Sequence, residues 1–138
     1  MRARTVTRSI ETDAEPDAIL EVLADARHLP QWASGFADAV AAGPEGDWLV
    51  SKDGQVFSIR VEFERSHGIV DYVREIAPGQ KGGAFLRVLP RPGGGSVAVM
   101  TLPVSVGDGD ALALATIMDR ELRALVGIGE SRIVRSFH

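Results

Sequence analysis

The stretch LADARHLPQWASGF, Leu23 to Phe36, joins a region of helical periodicity to a long region with the patterns of β-strands. A second short helix is predicted from Arg27 to Ala33, because Leu29 and Trp32 then lie on the same side of it. Pro30 falls early enough in this piece to be tolerated in a helix. The join therefore predicts two short consecutive helices placed immediately before a sheet.

The residues before the join predict one strand and the first of these helices. Arg4 to Thr12 alternates along its length and is rich in Thr and Val, which favours a strand. Asp13 is the predicted N-cap of the helix, and Pro16 lies in its first turn. The apolar face of this helix consists of Ile19, Leu20 and Leu23.

From Phe36 to Val106 the sequence predicts six short strands separated by turns rich in Gly and Pro. The connections are too short for the crossover that parallel neighbours require, so consecutive strands are expected to be antiparallel. The clearest strand runs from Gln55 to Arg65, where apolar and polar residues alternate. One face of the sheet is therefore predicted to lie on a core and the other in water.

The longest helix is predicted from Asp110 onward. Gly127 and Gly129 are expected to weaken its last turns by about 1 kcal/mol each relative to Ala. No other element is large enough to cover the apolar face of the sheet. We therefore predict an α+β fold in which a curved antiparallel sheet of about seven strands wraps around this helix. The apolar stripe of the helix consists of Ala111, Leu114, Ala115, Met118, Leu122 and Leu125.

Four stretches and the order of the elements resemble one known family. The stretches are SIETDAEPDAILEVLADARHLPQW (9–32), HGIVDYV (67–73), LRVLPRPGGGSVAVMTL (86–102) and MDRELRAL (118–125). They are similar to the START-like superfamily (SRPBCC, Bet v 1-like), and its polyketide cyclase/dehydrase-like branch is the most similar. The resemblance implies a helix-grip fold, β-α-α-β6-α, in which the two short helices close one end of the sheet. The tail GIGESRIVRSFH (127–138) departs from the family pattern.

Composition limits the classes of function. A chain of 138 residues is predicted to form a single domain, 1–138, with one core. The net charge of -4 argues against a nucleic-acid partner. The chain has no Cys, which excludes disulfides, thiol nucleophiles and Cys-ligated metals. No stretch approaches the ~18 apolar residues of a spanning helix, so we expect a soluble cytoplasmic protein without membrane insertion.

Sequence motifs with a known chemistry are absent. The three His residues, His28, His67 and His138, do not stand at metal-ligand spacings. No GxSxG nucleophile elbow is present, and the Gly-rich segments GQKGG and PGGGS connect strands rather than preceding a helix. We therefore predict no metal and no cofactor, and catalytic residues are left unassigned.

Polar residues that point inward are the remaining candidates for a site. Glu121 falls within the arc of the apolar stripe of the last helix, so it is predicted to face the sheet. Arg74 and Arg87 lie on strands whose alternation is ambiguous. Tyr72 and Arg74 enter the groove beneath Glu121 if they share the inward face of their strand. Two interpretations stay open: a Glu-Arg-Tyr cluster inside an apolar cavity, or a Glu121 that reaches water with both Arg on the outer face.

The leading hypothesis is binding of a hydrophobic or amphipathic small molecule between the sheet and the last helix. Met side chains suit such a groove because they adapt to irregular shapes. Trp32 is interpreted chiefly as a core residue that seals the two short helices, and alternatively as a wall of the cavity. The predicted ligand-binding residues are Trp32, Phe57, Ile59, Tyr72, Arg74, Arg87, Met100, Met118, Glu121 and Leu125.

Two other functions stay open. A polyketide cyclase/aromatase or a dehydratase could fold a poly-β-ketone in the same cavity, with Tyr72, Arg74, Arg87 or Glu121 moving protons or stabilising an enolate. A regulatory or protein-interaction domain would instead have a filled core without a cavity. The sequence does not decide whether the protein is an enzyme, and homodimer formation is also left open.

Overall fold

The structure, a computed structural model, describes residues 4–104 and 108–136. The strands are β1 (Arg4–Thr12), β2 (Ala39–Ala42), β3 (Trp48–Lys52), β4 (Gln55–Glu64), β5 (Ile69–Ala77), β6 (Gln80–Pro90) and β7 (Ser96–Val104). The α-helices are α1 (Pro16–Ala24), α2 (Leu29–Trp32) and α3 (Asp108–Ser136). The predicted end of the strand region at Val106 lies outside the described residues.

These strands form one antiparallel sheet in the order β1-β7-β6-β5-β4-β3-β2, with β1 and β2 at its edges. The short connections explain the order, because each strand from β2 to β6 pairs with the strand that follows it. β1 completes the sheet by pairing with β7, with Val6 opposite Leu102 and Thr12 opposite Ser96. The predicted antiparallel sheet of seven strands is confirmed.

The core lies between the sheet and α3. Met118, Leu122 and Leu125 on α3 are fully buried, in agreement with the predicted apolar stripe. The inward residues of the sheet that belong to the same core include Ile59, Val70, Leu86, Ala98 and Met100. The sheet, the two short helices and the long C-terminal helix form the α+β helix-grip fold expected from the sequence.

The join between α1 and β2 contains a 3-10 turn followed by one turn of α-helix. α1 ends at Ala24, and the Asp25 carboxylate then caps the 3-10 turn Ala26–His28 by accepting the Arg27 N–H at 3.0 Å. α2 follows directly, with Pro30 in one of its first two positions, where the missing N–H leaves no helical bond unmade. The second predicted helical piece therefore consists of the 3-10 turn and α2.

Asp13 does not cap α1, which corrects the sequence prediction. Glu15 occupies the N-cap position and makes no capping hydrogen bond with its side chain. The Asp13 carboxylate instead accepts a hydrogen bond from Nη2 of Arg91 at 2.7 Å. The cap prediction is wrong because α1 begins only at Pro16, which leaves Asp13 too far from the first helical turn.

α3 begins two residues earlier than predicted and continues through Gly127 and Gly129 to Ser136. Gly129 is buried against α1, where a Cβ would lie 2.5 Å from Cδ1 of Ile19. The absence of a side chain at Gly129 thus permits a close approach of the two helices, which offsets its low helix propensity. The tail that departs from the family pattern is, up to Ser136, a continuation of α3.

The pairing between strands β4 and β5 ends halfway along their length. They pair with each other only over residues 60–64 and 69–73. Residues 55–59 of β4 pair with β3, and the part of β5 after Val73 pairs with β6. The two strands diverge beyond this point and leave an opening between them, which positions one half of the candidate site.

Candidate functional site

A small cavity lies beneath α2, between α3 and strands β5 to β7. Its volume is about 40 Å³. We call it the inner cavity. This volume is large enough for a water molecule. It is far smaller than the volume of about 300–1,000 Å³ that is typical of small-molecule sites. The residues that line it are Leu29, Trp32, Ala33, Phe36, Tyr72, Ala84, Met100, Leu102 and Glu121.

Glu121 brings a carboxyl group to the otherwise apolar wall of the inner cavity. The residue is 8% exposed, and its Oε2 accepts the Gly35 N–H at 3.2 Å. Burial raises the pKa of this carboxyl above its ordinary value, although the Gly35 hydrogen bond and the charges of Arg120 and Lys52 act in the opposite direction. Glu121 therefore retains its proton to a higher pH than an exposed glutamate does.

Trp32 forms a second wall of the inner cavity and contacts Tyr72, with the two ring centroids 6.2 Å apart. The residue is 2% exposed, and within the described chain its Nε1 has no hydrogen-bond partner. A buried donor left unpaired costs about 1–3 kcal/mol. Both interpretations of Trp32 thus hold at the level of geometry, since it packs in the core and also lines the cavity.

Tyr72 is held by a hydrogen bond to the backbone. Its hydroxyl donates to the carbonyl oxygen of Leu23 at 2.5 Å. Burial, and to a smaller extent the charge of Asp25, raises the pKa of this hydroxyl above its ordinary value. The hydrogen bond ties β5 to the end of α1, so the Tyr72 hydroxyl stabilises the fold and is not free to exchange a proton with a ligand.

The opening between β4 and β5 forms a larger space, which we call the cleft. Its volume is about 390 Å³. Three of its lining residues are basic and three are acidic, so the lining has no net formal charge. The residues that line it are Glu45, Asp47, Phe57, Ser58, Ile59, Arg60, Val73, Arg74, Glu75 and Lys81. The cleft is therefore wide and polar, unlike the inner cavity.

Arg74 packs on an aromatic ring in the cleft. Its guanidinium carbon lies 4.0 Å from the ring centroid of Phe57, in a cation–π contact. Its Nε is buried and has no hydrogen-bond partner among the described residues. Gly82, which pairs with Arg74 on β6, has no side chain to occupy the neighbouring space. Arg74 thus has hydrogen-bonding capacity that the described chain does not use.

Two phenylalanine rings link the lining of the cleft to that of the inner cavity. Phe36 lines the inner cavity, whereas Phe57 lines the cleft. Their ring centroids are 5.4 Å apart and their planes are inclined by 69°, which is an edge-to-face contact. This contact brings the lining of the cleft next to that of the inner cavity.

The structure divides most of the predicted site residues between these two spaces. Those that line the inner cavity are Trp32, Tyr72, Met100 and Glu121. Those that line the cleft are Phe57, Ile59 and Arg74. Met118 and Leu125 are fully buried in the core and line neither space. Met118 and Leu125 therefore pack in the core next to the site. The sequence predicted instead that they contact a ligand.

Arg87 enters neither space, which corrects the prediction made for it. Its neighbours Leu86 and Val88 are buried and take the inward positions of β6, so alternation places Arg87 on the outer face. Nη1 of Arg87 donates to the Asp71 carboxylate at 2.7 Å, and 43% of the Arg87 side chain is exposed. Arg87 therefore belongs to a cross-strand ion pair on the outer face.

Three residues that are not among those predicted from the sequence also line one of the two spaces: Phe36, Ala84 and Lys81. A signal exists for Phe36, because it ends the join that the fold places at one end of the sheet. Ala84 and Lys81 carry no such signal, since small and exposed residues are common on every strand. Their role depends on the register of β5 and β6, which only the structure supplies.

Metal binding and membrane insertion find no support in the described residues. Across residues 4–104 and 108–136, no three or more His, Asp or Glu side chains are grouped so that they could hold a metal ion. Within the same ranges no helix has the length and apolar character needed to cross a membrane.

The helix-grip fold, with a space between the sheet and the long helix, defines the chain as a START-like (SRPBCC) domain. A family model described as polyketide cyclase / dehydrase and lipid transport matches residues 3–128. The chain belongs to that family.

Solved structures from several bacteria have the same fold. An aromatase/cyclase from Streptomyces is 19% identical, with a TM-score of 0.70 and 96% of each chain covered. The protein XoxI from Bacillus cereus is 21% identical, with a TM-score of 0.68 over 89% of this chain and 93% of that one. A START superfamily protein from Mycobacterium smegmatis is 17% identical, with a TM-score of 0.58 over 95% and 97% of the two chains. No curated protein sequence matches the chain.

Proposed function

We propose that this domain binds a hydrophobic or amphipathic small molecule between the sheet and α3. The observation that carries the proposal is the unpaired, buried Trp32 indole N–H, which lies at the inner cavity together with the Glu121 carboxyl. A core that served packing alone would pair or expose such groups, since each unpaired buried group costs about 1–3 kcal/mol. A hydroxyl or keto oxygen along the chain of a ligand would accept the Trp32 N–H beside Glu121, while the head group of the ligand stays in the cleft.

The ligand needs more room than the inner cavity provides at about 40 Å³. The additional room lies in the cleft, about 390 Å³, on the other side of Phe36 and Phe57. An aromatic edge contact is worth about 0.5–1.5 kcal/mol, whereas burial of an alkyl chain gains about 0.8 kcal/mol per CH₂. A chain of several methylenes can therefore displace the two rings and join the two spaces.

Isothermal titration with dodecanol tests this proposal. We expect saturable binding of one molecule per chain. Ala84→Phe places a ring in the inner cavity and is expected to abolish binding, whereas the matched Ala41→Phe lies on the exposed edge strand β2 and should leave it intact. A protein that binds neither dodecanol nor any member of a broad panel of apolar ligands would contradict the proposal. It would favour the protein-interaction domain with a filled core.

Catalysis of the cyclase/aromatase or dehydratase type is the second candidate, and the raised pKa of Glu121 favours it. A buried carboxyl of this kind suits general acid–base chemistry. Glu121 and Arg74 keep the proton-transfer roles considered from the sequence, because Tyr72 and Arg87 are engaged in other hydrogen bonds. Glu121→Gln would then abolish turnover of a poly-β-ketone and retain dodecanol binding. Loss of dodecanol binding with turnover retained would contradict this assignment.

A homodimer and a cytoplasmic location stay predictions. Size-exclusion chromatography with light scattering measures the mass of the protein in solution and so tests the first. Fractionation of cells that produce the protein tests the second.

A further inference from the structure

The cleft indicates the chemistry of the ligand as well as its place. We infer that Arg74 binds the carboxylate of an amphipathic acid whose apolar chain passes between Phe36 and Phe57 into the inner cavity. This inference rests on the ligand binding proposed above. It adds the charge of the ligand's head group and the side of the sheet from which the ligand enters.

Arg74 has an unused hydrogen-bonding edge. One face of its guanidinium group packs on the Phe57 ring at 4.0 Å, and its buried Nε has no partner within the described chain. A guanidinium group carries five N–H donors in a planar fork that matches the two oxygens of a carboxylate. Displacement of the Phe57 ring by a ligand therefore opens the edge that contains Nε to a carboxylate in the cleft.

The acidic side chains of the cleft leave this place open. The Asp47 carboxylate accepts hydrogen bonds from the Ser58 hydroxyl and from the Glu45 N–H, and these bonds lower the pKa of Asp47. Glu75 follows Arg74 in β5, so alternation directs the two side chains to opposite faces of the strand. Neither carboxylate reaches the Nε of Arg74. The partner of this nitrogen is therefore to be sought outside the described residues.

The charges around the cleft favour a singly charged head group. The lining has three basic and three acidic side chains, so it offers no field of excess positive charge. Arg60 is paired with Glu62 at 3.0 Å, which leaves Arg74 and Lys81 as the basic groups available to a ligand. A carboxylate needs one guanidinium partner, whereas a doubly charged phosphate needs more positive charge than this lining supplies.

The apolar chain of the ligand has one short path from the head group to the inner cavity. Phe57 contacts Arg74 on the side of the cleft and Phe36 on the side of the cavity. A carboxylate held by Arg74 places the first methylenes of its chain against the Phe57 ring. Displacement of Phe57 and then of Phe36 admits the chain to the wall formed by Met100 and Leu102.

Parallel titrations with dodecanoate, dodecanol and dodecyl phosphate test the inference, with the two anionic ligands below their critical micelle concentrations and dodecanol below its solubility limit. The wild-type protein is expected to bind dodecanoate about tenfold or more tightly than dodecanol, because a hydrogen bond to a charged group contributes about 1.5–3 kcal/mol. Dodecyl phosphate is expected to bind no more tightly than dodecanoate. Arg74→Gln should reduce the affinity for dodecanoate to that for dodecanol and leave dodecanol unaffected.

Arg123→Gln is the matched control, because it removes a positive charge at an exposed position of α3 that lines neither the cleft nor the inner cavity. It should change dodecanoate affinity by less than about twofold. Arg74→Lys keeps the charge without the planar fork, so an intermediate preference for the acid is expected.

The possible failures are distinguishable. Equal affinity of the wild-type protein for dodecanoate and dodecanol would overturn the role of Arg74 and leave the proposed ligand binding in place. Absence of binding for every ligand would overturn the proposed function itself. Loss of dodecanol binding in both Arg74 variants would also overturn the inference, because Arg74 would then act on the fold and not on the head group.

Discussion

The inner cavity and the cleft meet at a contact between two phenylalanine rings, one from each lining, and they differ in volume and in polarity. The inner cavity measures about 40 Å³ and is walled by apolar groups apart from one carboxyl. The cleft measures about 390 Å³ and has six charged side chains on its lining. The difference arises from strand pairing, because β5, β6 and β7 remain paired beneath the cavity, whereas β4 and β5 diverge at the cleft.

This contrast shows how a single fold supplies both ends of a site for an amphipathic molecule. Closely paired strands and α3 enclose a small apolar space. Diverging strands expose polar backbone and side chains and create an entrance. Three pairs of substitutions test this difference between the regions. In each pair one substitution lies at the inner cavity and the other at the cleft.

Truncation of an aromatic side chain is expected to have the largest effect in the sealed region. Trp32→Ala should lower the free energy of unfolding by about 3–5 kcal/mol, because it removes a fully buried ring. Phe57→Ala should cost about 1–2 kcal/mol, because the ring lies partly exposed at the cleft. Urea denaturation of both variants measures the two values. Equal losses would mean that the wall of the cleft is packed as tightly as the inner cavity.

Removal of a single hydroxyl should have a smaller effect with the same asymmetry. Tyr72→Phe leaves the buried Leu23 carbonyl without its donor and should cost about 1–3 kcal/mol. Ser58→Ala removes an exposed hydrogen bond to Asp47 and should change stability by about 0.5 kcal/mol or less. Thermal unfolding followed by circular dichroism compares the two variants. A Tyr72→Phe protein as stable as the wild type would show that the hydrogen bond does not anchor β5.

The carboxyl groups of the two regions should respond to pH in opposite directions. Burial raises the pKa of Glu121, so the folded protein holds this proton to a higher pH than the unfolded chain. Stability is therefore expected to fall as the pH rises from the ordinary glutamate value of 4.5 to the raised value. Glu121→Gln should remove this fall, which urea midpoints measured across about pH 4 to 8 would reveal.

Asp47 in the cleft supplies the opposite case. Its hydrogen bonds with the Ser58 hydroxyl and the Glu45 N–H lower its pKa below the ordinary value of 3.8. Its contribution to stability is present above that value and is lost as the pH falls through the lowered one. Asp47→Asn should therefore be less stable than the wild type at neutral pH and equally stable in strong acid. Parallel pH profiles for Asp47→Asn and Glu121→Gln would contradict the contrast between the two regions.

The fold could be predicted from the sequence because its signals are local. The alternation of β4, the apolar stripe of α3 and the short connections between strands each act over a few residues, and together they leave one arrangement of sheet and helix. The two short helical pieces around Pro30 could also be predicted, because a proline at the start of a helix and a buried Trp32 restrict the chain locally.

The site could be predicted only in part, because it depends on strand faces and on where pairing stops. Val70 and Val73 are both buried although they lie on opposite faces of β5, so alternation alone does not reveal that Tyr72 points inward. Arg87 resembles Arg74 in sequence context but lies on the outer face beside Asp71. The divergence of β4 from β5 is a property of register, which no local pattern encodes.

Quenching of Trp32 fluorescence by a brominated ligand tests the central claim most directly. In the Trp48→Phe variant Trp32 is the one remaining tryptophan of the two in the chain. Titration with ω-bromododecanol is expected to quench its emission saturably, because a bromine atom quenches an indole only at contact, whereas unbrominated dodecanol should not quench it. Saturable binding of ω-bromododecanol without quenching of Trp32 would place the ligand elsewhere and contradict the account.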